Sequence, residues 1–253
     1  MIAAALQVLA TAALGAVSGM FGGLFGIGGG VLAIPLLGMV FGLEQQAAQG
    51  TTLIMVVPNV LFGFWRYRQR FGVDLRMAAV IAGSALISTY PTARFATGLD
   101  PHILRLAFAA FLAGLASFLA YRTWREAPTA TVRPPLAWGW TAIVGLVGGI
   151  VSGLFGVGGA FIAPPLLTAF FGLRQVEAQG LALALVCPSS IIALIAYAGA
   201  GQVDWRLGVP LALGGTAAIS AGVAMALRFP ERRLRFAFCG FMTVAGALLA
   251  LHG

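Results

Sequence analysis

Apolar runs fill this chain from end to end, and only short polar stretches separate them. Ten segments stand out, near 2–24, 27–43, 47–65, 76–93 and 103–121, then near 136–154, 157–173, 177–199, 206–227 and 234–252. Most have the roughly 17–25 residues that a helix needs to cross the hydrocarbon core of a bilayer. The pattern predicts an all-α polytopic membrane protein. The opening stretch, "MIAAALQVLATAALGAVSGM", lacks a basic leader and reads as a first span rather than a cleaved signal peptide. "RTWREAPTATVRPP" (Arg122–Pro135) is the one sizeable polar stretch and reads as a linker.

The segments repeat. An offset of 130 residues carries Phe25 onto Phe155 and aligns the halves without a gap. It carries Gly15, Gly19 and Gly23 onto Gly145, Gly149 and Gly153, and Pro35 and Pro58 onto Pro165 and Pro188. Ala48-Gln49-Gly50 returns as Ala178-Gln179-Gly180, and Asp74 and Arg76 return as Asp204 and Arg206. This self-similarity marks an internal duplication. It divides the chain into a first transmembrane repeat (1–121), a linker (122–135) and a second repeat (136–253).

Five segments per repeat is odd, so the second repeat enters the membrane from the opposite face. Charge tests this. Arg exceeds Asp and Glu by eight over the stretches 66–76, 122–135, 174–177 and 228–235; the two signs balance over Glu44, 94–105 and 204–206. Basic loops stay in the cytoplasm. The linker is therefore cytoplasmic, both termini lie outside, and the halves form two five-segment repeats of inverted topology. A hairpin of the first two segments that enters and leaves on one face gives the same parity.

The phrases "FGIGGGVLAIPLL" (Phe25–Leu37) and "FGVGGAFIAPPLL" (Phe155–Leu167) should interrupt helices. Glycine opens backbone conformations closed to other residues, and proline removes an amide donor. Interrupted backbone at membrane depth must be covered by protein or line a wet cavity. A half-helix beginning there points partly positive N-terminal amides inward, and two of them converging from opposite faces suit an anion near the midplane. The four-spaced glycines ahead of each phrase read as helix-packing faces.

The candidate anion ligands are the backbone at Gly26, Gly28, Gly29 and Gly30, and at Gly156, Gly158 and Gly159. Side-chain candidates are Gln49, Thr51, Thr52 and Asn59, with Gln179 and Ser189 in the second half. Leu181 and Ala182 stand where the threonines would recur, so the expected site is asymmetric.

Composition sharpens this. The chain is 60% hydrophobic and 9% charged, against about a quarter charged in soluble domains. Its net charge of +8 comes from loop arginines, which fits membrane topology better than nucleic acid. No Asp, Glu, Arg or His falls clearly inside an expected span; His102 and His252 lie at a loop and at the tail. Catalysis, a metal site and a cofactor are not expected. The G-x-G runs lack the strand and βαβ unit of a nucleotide loop. Cys187 and Cys239 lie in apolar segments without metal spacing. Arg94 reads as snorkelling toward the interface.

On "GLFGIGGGVLAIPLL", "GLFGVGGAFIAPPLL" and the A-Q-G openings that follow them, the chain resembles the TauE/SafE sulfite-exporter family of membrane permeases. The resemblance implies transport of small sulfur-containing anions: sulfite, sulfonates or related organic anions. The expected protein is a secondary transporter in a bacterial inner membrane, working by alternating access, with a proton or sodium ion as the coupling ions to test. A passive anion channel and a non-transporting scaffold are the alternatives. Ala160 replaces a glycine of the second phrase and Pro164 precedes Pro165 there, so the second break departs from the first.

Overall fold

The computed structural model of the chain describes residues 2–25, 28–71, 74–125, 138–159, 162–173, 175–226, 240, 243 and 246. Among these residues there is no strand. The first half supplies α1 (Ile2–Phe25), α2 (Gly30–Phe41), α3 (Gln45–Phe71), α4 (Leu75–Thr97) and α5 (Pro101–Arg125). The second half supplies a 3-10 turn (Trp138–Trp140), α6 (Thr141–Phe155), α7 (Ala163–Phe171), α8 (Gln175–Gly199) and α9 (Trp205–Ala226). Most of the expected tenth segment, most of the linker and Gly26 lie outside the described residues.

Boundaries recur with the 130-residue offset. α1 and α6 end at Phe25 and Phe155, and α2 and α7 end at Phe41 and Phe171 against left-handed Gly42 and Gly172. Asp74 accepts hydrogen bonds from the first-turn amides of α4, and Asp204 does the same for α9. Both are N-caps.

Among the described residues, four helices are long and apolar enough to cross a membrane, with candidate spans at Ala5–Leu24, Gln45–Trp65, Pro101–Phe118 and Glu177–Gly199. α3 runs to Phe71, beyond the apolar segment expected at 47–65, and so carries Arg66, Arg68 and Arg70 on helix rather than loop. Hydropathy marks where lipid ends, and arginine is a good helix former that lets the helix continue past that point. α2 and α7 are shorter than the apolar segments that contain them, at 12 and 9 residues. At 1.5 Å per residue they reach about 18 and 14 Å, short of a core about 30 Å thick.

Helix packing follows the repeat. α1 lies most extensively on α9, and α4 on α6. A Cβ on Gly15 or Gly19 would strike the carbonyls of Leu211 and Gly215; on Gly145 or Gly149 it would strike those of Ile81 and Ala85. Both pairs run parallel, and the offset carries one set of contacts onto the other. Backbone approach this close needs glycine, and it brings hydroxyls within reach of neighbouring carbonyls: Ser88 donates to the Leu146 carbonyl at 2.9 Å. α3 and α8 pack centrally. Gly63 approaches Leu183 and Gln49 meets Tyr197, so these corresponding helices run antiparallel.

Candidate functional site

Both expected helix breaks are present. α1 ends at Phe25 and α2 starts at Gly30, with Gly28 and Gly29 at φ 74° and 86°. α6 ends at Phe155 and α7 starts at Ala163, with Gly156 and Gly158 at φ 65° and 57°. These left-handed values cost an L side chain about 1–2 kcal/mol, which accounts for the glycines. After each break the chain folds back on the helix it has left. A Cβ on Gly29 would lie 2.5 Å from the Ser18 carbonyl of α1, and one on Gly159 would lie 2.5 Å from the Gly148 Cα of α6. The offset carries Ser18 onto Gly148, so the two reversals share one geometry. Each half-helix therefore starts inside the protein, beside the helix that precedes it.

The breaks meet. A Cβ on Gly30 would lie 3.5 Å from Thr52 Cγ2 and 3.7 Å from the Val157 Cα of the other break. A Cβ on Gly156 would lie 3.2 Å from Gln49 Cβ. The N-terminus of α2, the bend at Gly156–Gly158 and the first turns of α3 thus surround one place. Gly28–Gly30 and Gly156–Gly159 are all buried there.

Its polar groups are unequal. Gln49 and Thr52 are fully buried, and Gln49 Nε2 and Thr52 Oγ1 have no hydrogen-bond partner among the described residues. A buried donor left unpaired costs about 1–3 kcal/mol, a cost that an anion accepting from both groups removes. Neither α2 nor α7 is capped by a side chain. Their N-termini still differ, because Pro164 and Pro165 strip two amides from the first turn of α7. Only α2 presents the half-helix terminus expected of both. In the second half the Val157, Gly158 and Gly159 amides of the bend bond to nothing among the described residues.

Other candidates hold the structure. Asn59 donates from Nδ2 to the Gly28 carbonyl at 3.2 Å, and its Oδ1 accepts from Thr216 Oγ1 at 3.1 Å. It clips the first break to α9. Thr51 Oγ1 accepts from the Asp204 amide at 2.9 Å and fixes the start of α9. Ser189 donates to the Val186 carbonyl of its own helix. Gln179 sits half-buried at the α8 position equivalent to Gln49.

Sequence reading passed over Tyr197, Ser18 and Ser152. Tyr197 is fully buried, and its hydroxyl donates to Gln49 Oε1 at 2.7 Å. Ser18 and Ser152 are buried with unpartnered hydroxyls on the helices that lead into the breaks. A lone hydroxyl shortly ahead of a glycine break was the available signal.

Ionisable groups gather elsewhere. A cavity of about 460 Å³ lies between α2 and the start of α5, lined by Pro35, Gln45, Glu44, Asp100, His102 and Arg105. Arg105 Nε is buried there without a partner. Arg94 is exposed in the last turn of α4, as snorkelling requires. Among the described residues no group of three or more His, Cys, Asp or Glu could hold a metal.

Residues 11–249 match the family model described as "Sulfite exporter TauE/SafE". A "Probable membrane transporter protein" of Xylella fastidiosa (strain 9a5c) is 27% identical over 252 residues, covering 97% of this chain and 95% of the relative. One from Methanocaldococcus jannaschii is 24% identical over 255 residues, with 94% and 93% covered. One from Bacillus subtilis (strain 168) is 24% identical over 233 residues, with 91% and 95% covered. No solved structure matches.

Proposed function

This chain belongs to the sulfite exporter TauE/SafE family, and from that premise we propose that it moves small sulfur-containing anions across a bacterial inner membrane by alternating access. That it is an integral membrane transporter follows from the family and its apolar helices. The substrate class and the mechanism are our reading. The observation that carries it is the meeting of the two helix breaks around buried, unpartnered donors, Gln49 Nε2 and Thr52 Oγ1, beside the N-terminus of α2.

An anion at this place accepts hydrogen bonds from Gln49, from Thr52, from the start of α2 and from the Val157–Gly159 amides. Thr51 and Asn59 hold the surrounding helices. No ionisable side chain is among these groups. Neutral donors fit a carrier, since a desolvated Arg partner would hold the anion too tightly for release. Inverted halves supply two equivalent states; the antiparallel α3 and α8 and the repeated α1–α9 and α4–α6 packing support such an inversion. The charge of the loops supports both termini outside and the arginine-rich end of α3 in the cytoplasm. Burial of both breaks favours a carrier with a closed state over a standing pore. A proton or sodium ion is the coupling ion to test.

The test is flux in proteoliposomes holding the purified full chain. Labelled sulfite or sulfoacetate should move with a rate that saturates in substrate. If neither anion moves in either direction, the proposal fails; a flux that rises linearly without saturation replaces the carrier with a channel.

A further inference from the structure

We infer that Tyr197 is a positioning residue that turns the Gln49 amide between two hydrogen-bond states, one for the empty site and one for the anion-occupied site. The inference rests on the anion-carrier reading above and adds to it a residue and a switching step.

The Tyr197 hydroxyl lies within reach of three acceptors: Gln49 Oε1 at 2.7 Å, the Gly153 carbonyl at 3.2 Å and the Leu154 carbonyl at 3.2 Å. It has a single hydrogen to give. The two carbonyls belong to the last turn of α6, where the chain leaves the helix and carbonyls lose their partners one turn on. Gly156 already donates to the Ser152 carbonyl. Tyr197 therefore serves either Gln49 or the end of α6 at any moment.

Two arrangements follow. When Tyr197 donates to Gln49 Oε1, the amide turns its Nε2 away from the hydroxyl, and that group has no protein partner. An anion between the breaks supplies the missing acceptor, so this arrangement belongs to the occupied site. With the site empty, a half-turn of the amide brings Nε2 to Tyr197 Oη. Gln49 then donates to tyrosine, tyrosine donates to Gly153 or Leu154, and Oε1 faces the gap. That orientation satisfies the donors and repels anions. Binding thus reverses the amide and withdraws a hydrogen bond from the end of α6. That end also leads into the second break, and Phe155 closes it by stacking on Phe111 of α5 at 4.9 Å. Occupancy is sensed where a moving hairpin is hinged.

The experiment compares wild type, Tyr197→Phe and Gln49→Glu, each as the full chain in proteoliposomes, with sulfite and sulfoacetate as probes. Tyr197→Phe should raise KM about tenfold, the value of one lost hydrogen-bond constraint, with kcat within about twofold. Gln49→Glu keeps an acceptor for Tyr197 but sets a negative charge toward the site, and should abolish saturable flux while the protein still elutes as one species. If Tyr197→Phe does not fold, the tyrosine Fermi doublet in the Raman spectrum of wild type decides. Adding the anion should change one tyrosine from donor-and-acceptor to donor only. An unchanged KM in Tyr197→Phe, an unchanged doublet or normal flux in Gln49→Glu overturns the switch while leaving the carrier intact. Absence of any wild-type flux overturns the carrier reading itself.

Discussion

The two breaks share a backbone plan and differ in how firmly they are held. At the first, left-handed Gly28 and Gly29 lead into α2, which lasts 12 residues, and Asn59 ties the turn to Thr216 of α9. At the second, α6 ends at Phe155, Gly156 and Gly158 are left-handed, and α7 starts at Ala163 and lasts 9 residues. Ser189, which occupies Asn59's place in α8, bonds to its own helix and ties nothing across. Side-chain donors are lopsided too, because Gln49 and Thr52 come from α3 whereas Leu181 and Ala182 stand at the α8 positions equivalent to Thr51 and Thr52. A duplicated scaffold has kept the geometry in both copies and concentrated the side-chain chemistry in one. On the carrier reading proposed above, the first break, clipped by Asn59, is the platform of the site and the second is the half that moves.

The harshest way to break this comparison is to fill the contact that both reversals share. Gly29→Ala and Gly159→Ala each drive a methyl group to 2.5 Å from backbone, which cannot rotate away. Overpacking costs about 1–3 kcal/mol, and Gly29 adds about 1–2 kcal/mol for its left-handed backbone. Both variants should lose most of the monodisperse protein recovered by gel filtration in detergent. Wild-type recovery and melting in either one would mean that the reversal is not built on that contact.

A subtler substitution separates the copies. Gly28→Ala and Gly158→Ala both meet positive φ, so both lose about 1–2 kcal/mol. The methyl at Gly28 has its nearest neighbour at 3.6 Å, on Val56, whereas the methyl at Gly158 collides with Val186 Cγ1, the equivalent side chain of α8. Gly158→Ala should therefore melt lower, by about 1–3 kcal/mol more, and Val186→Ala in the same chain should restore the difference. Equal melting points for the two single variants would show that the second break is looser than its packing implies.

Much of this was legible in the residues. The offset of 130 predicted which helix ends correspond, and the glycine phrases marked both reversals, because left-handed backbone leaves few substitutes for glycine. Gln49 and Thr52 were found at the breaks because a polar side chain in an apolar run near a helix start has few other uses. What was hidden depends on contacts between distant parts of the chain. Thr51 caps α9 from 153 residues away, and no local pattern distinguishes it from Thr52 beside it. Tyr197 lies 148 residues from Gln49 and looked like one more aromatic in an apolar helix. Helix ends were also misread wherever arginine carried a helix past the lipid, as in α3. The two prolines of α7 were visible, but their effect, which is to remove amides from one of two supposedly equal termini, emerges only once α7 is seen to begin at Ala163.

The gentlest test concerns the clip itself. Asn59→Ala removes both the donor to the Gly28 carbonyl and the acceptor for the exposed Thr216, and the buried Gly28 carbonyl left unpaired costs about 1–3 kcal/mol. Ser189→Ala removes a hydroxyl that only doubles a carbonyl of its own helix, and should cost less than about 0.5 kcal/mol. Ser189→Ala should therefore melt above Asn59→Ala in detergent. If the platform role is right, Asn59→Ala should also slow saturable flux by loosening the start of α2, although Asn59 touches no anion in this scheme. Should the serine variant melt as low as the alanine at 59, the second break is tied as firmly as the first. The division of labour between the halves would then be wrong.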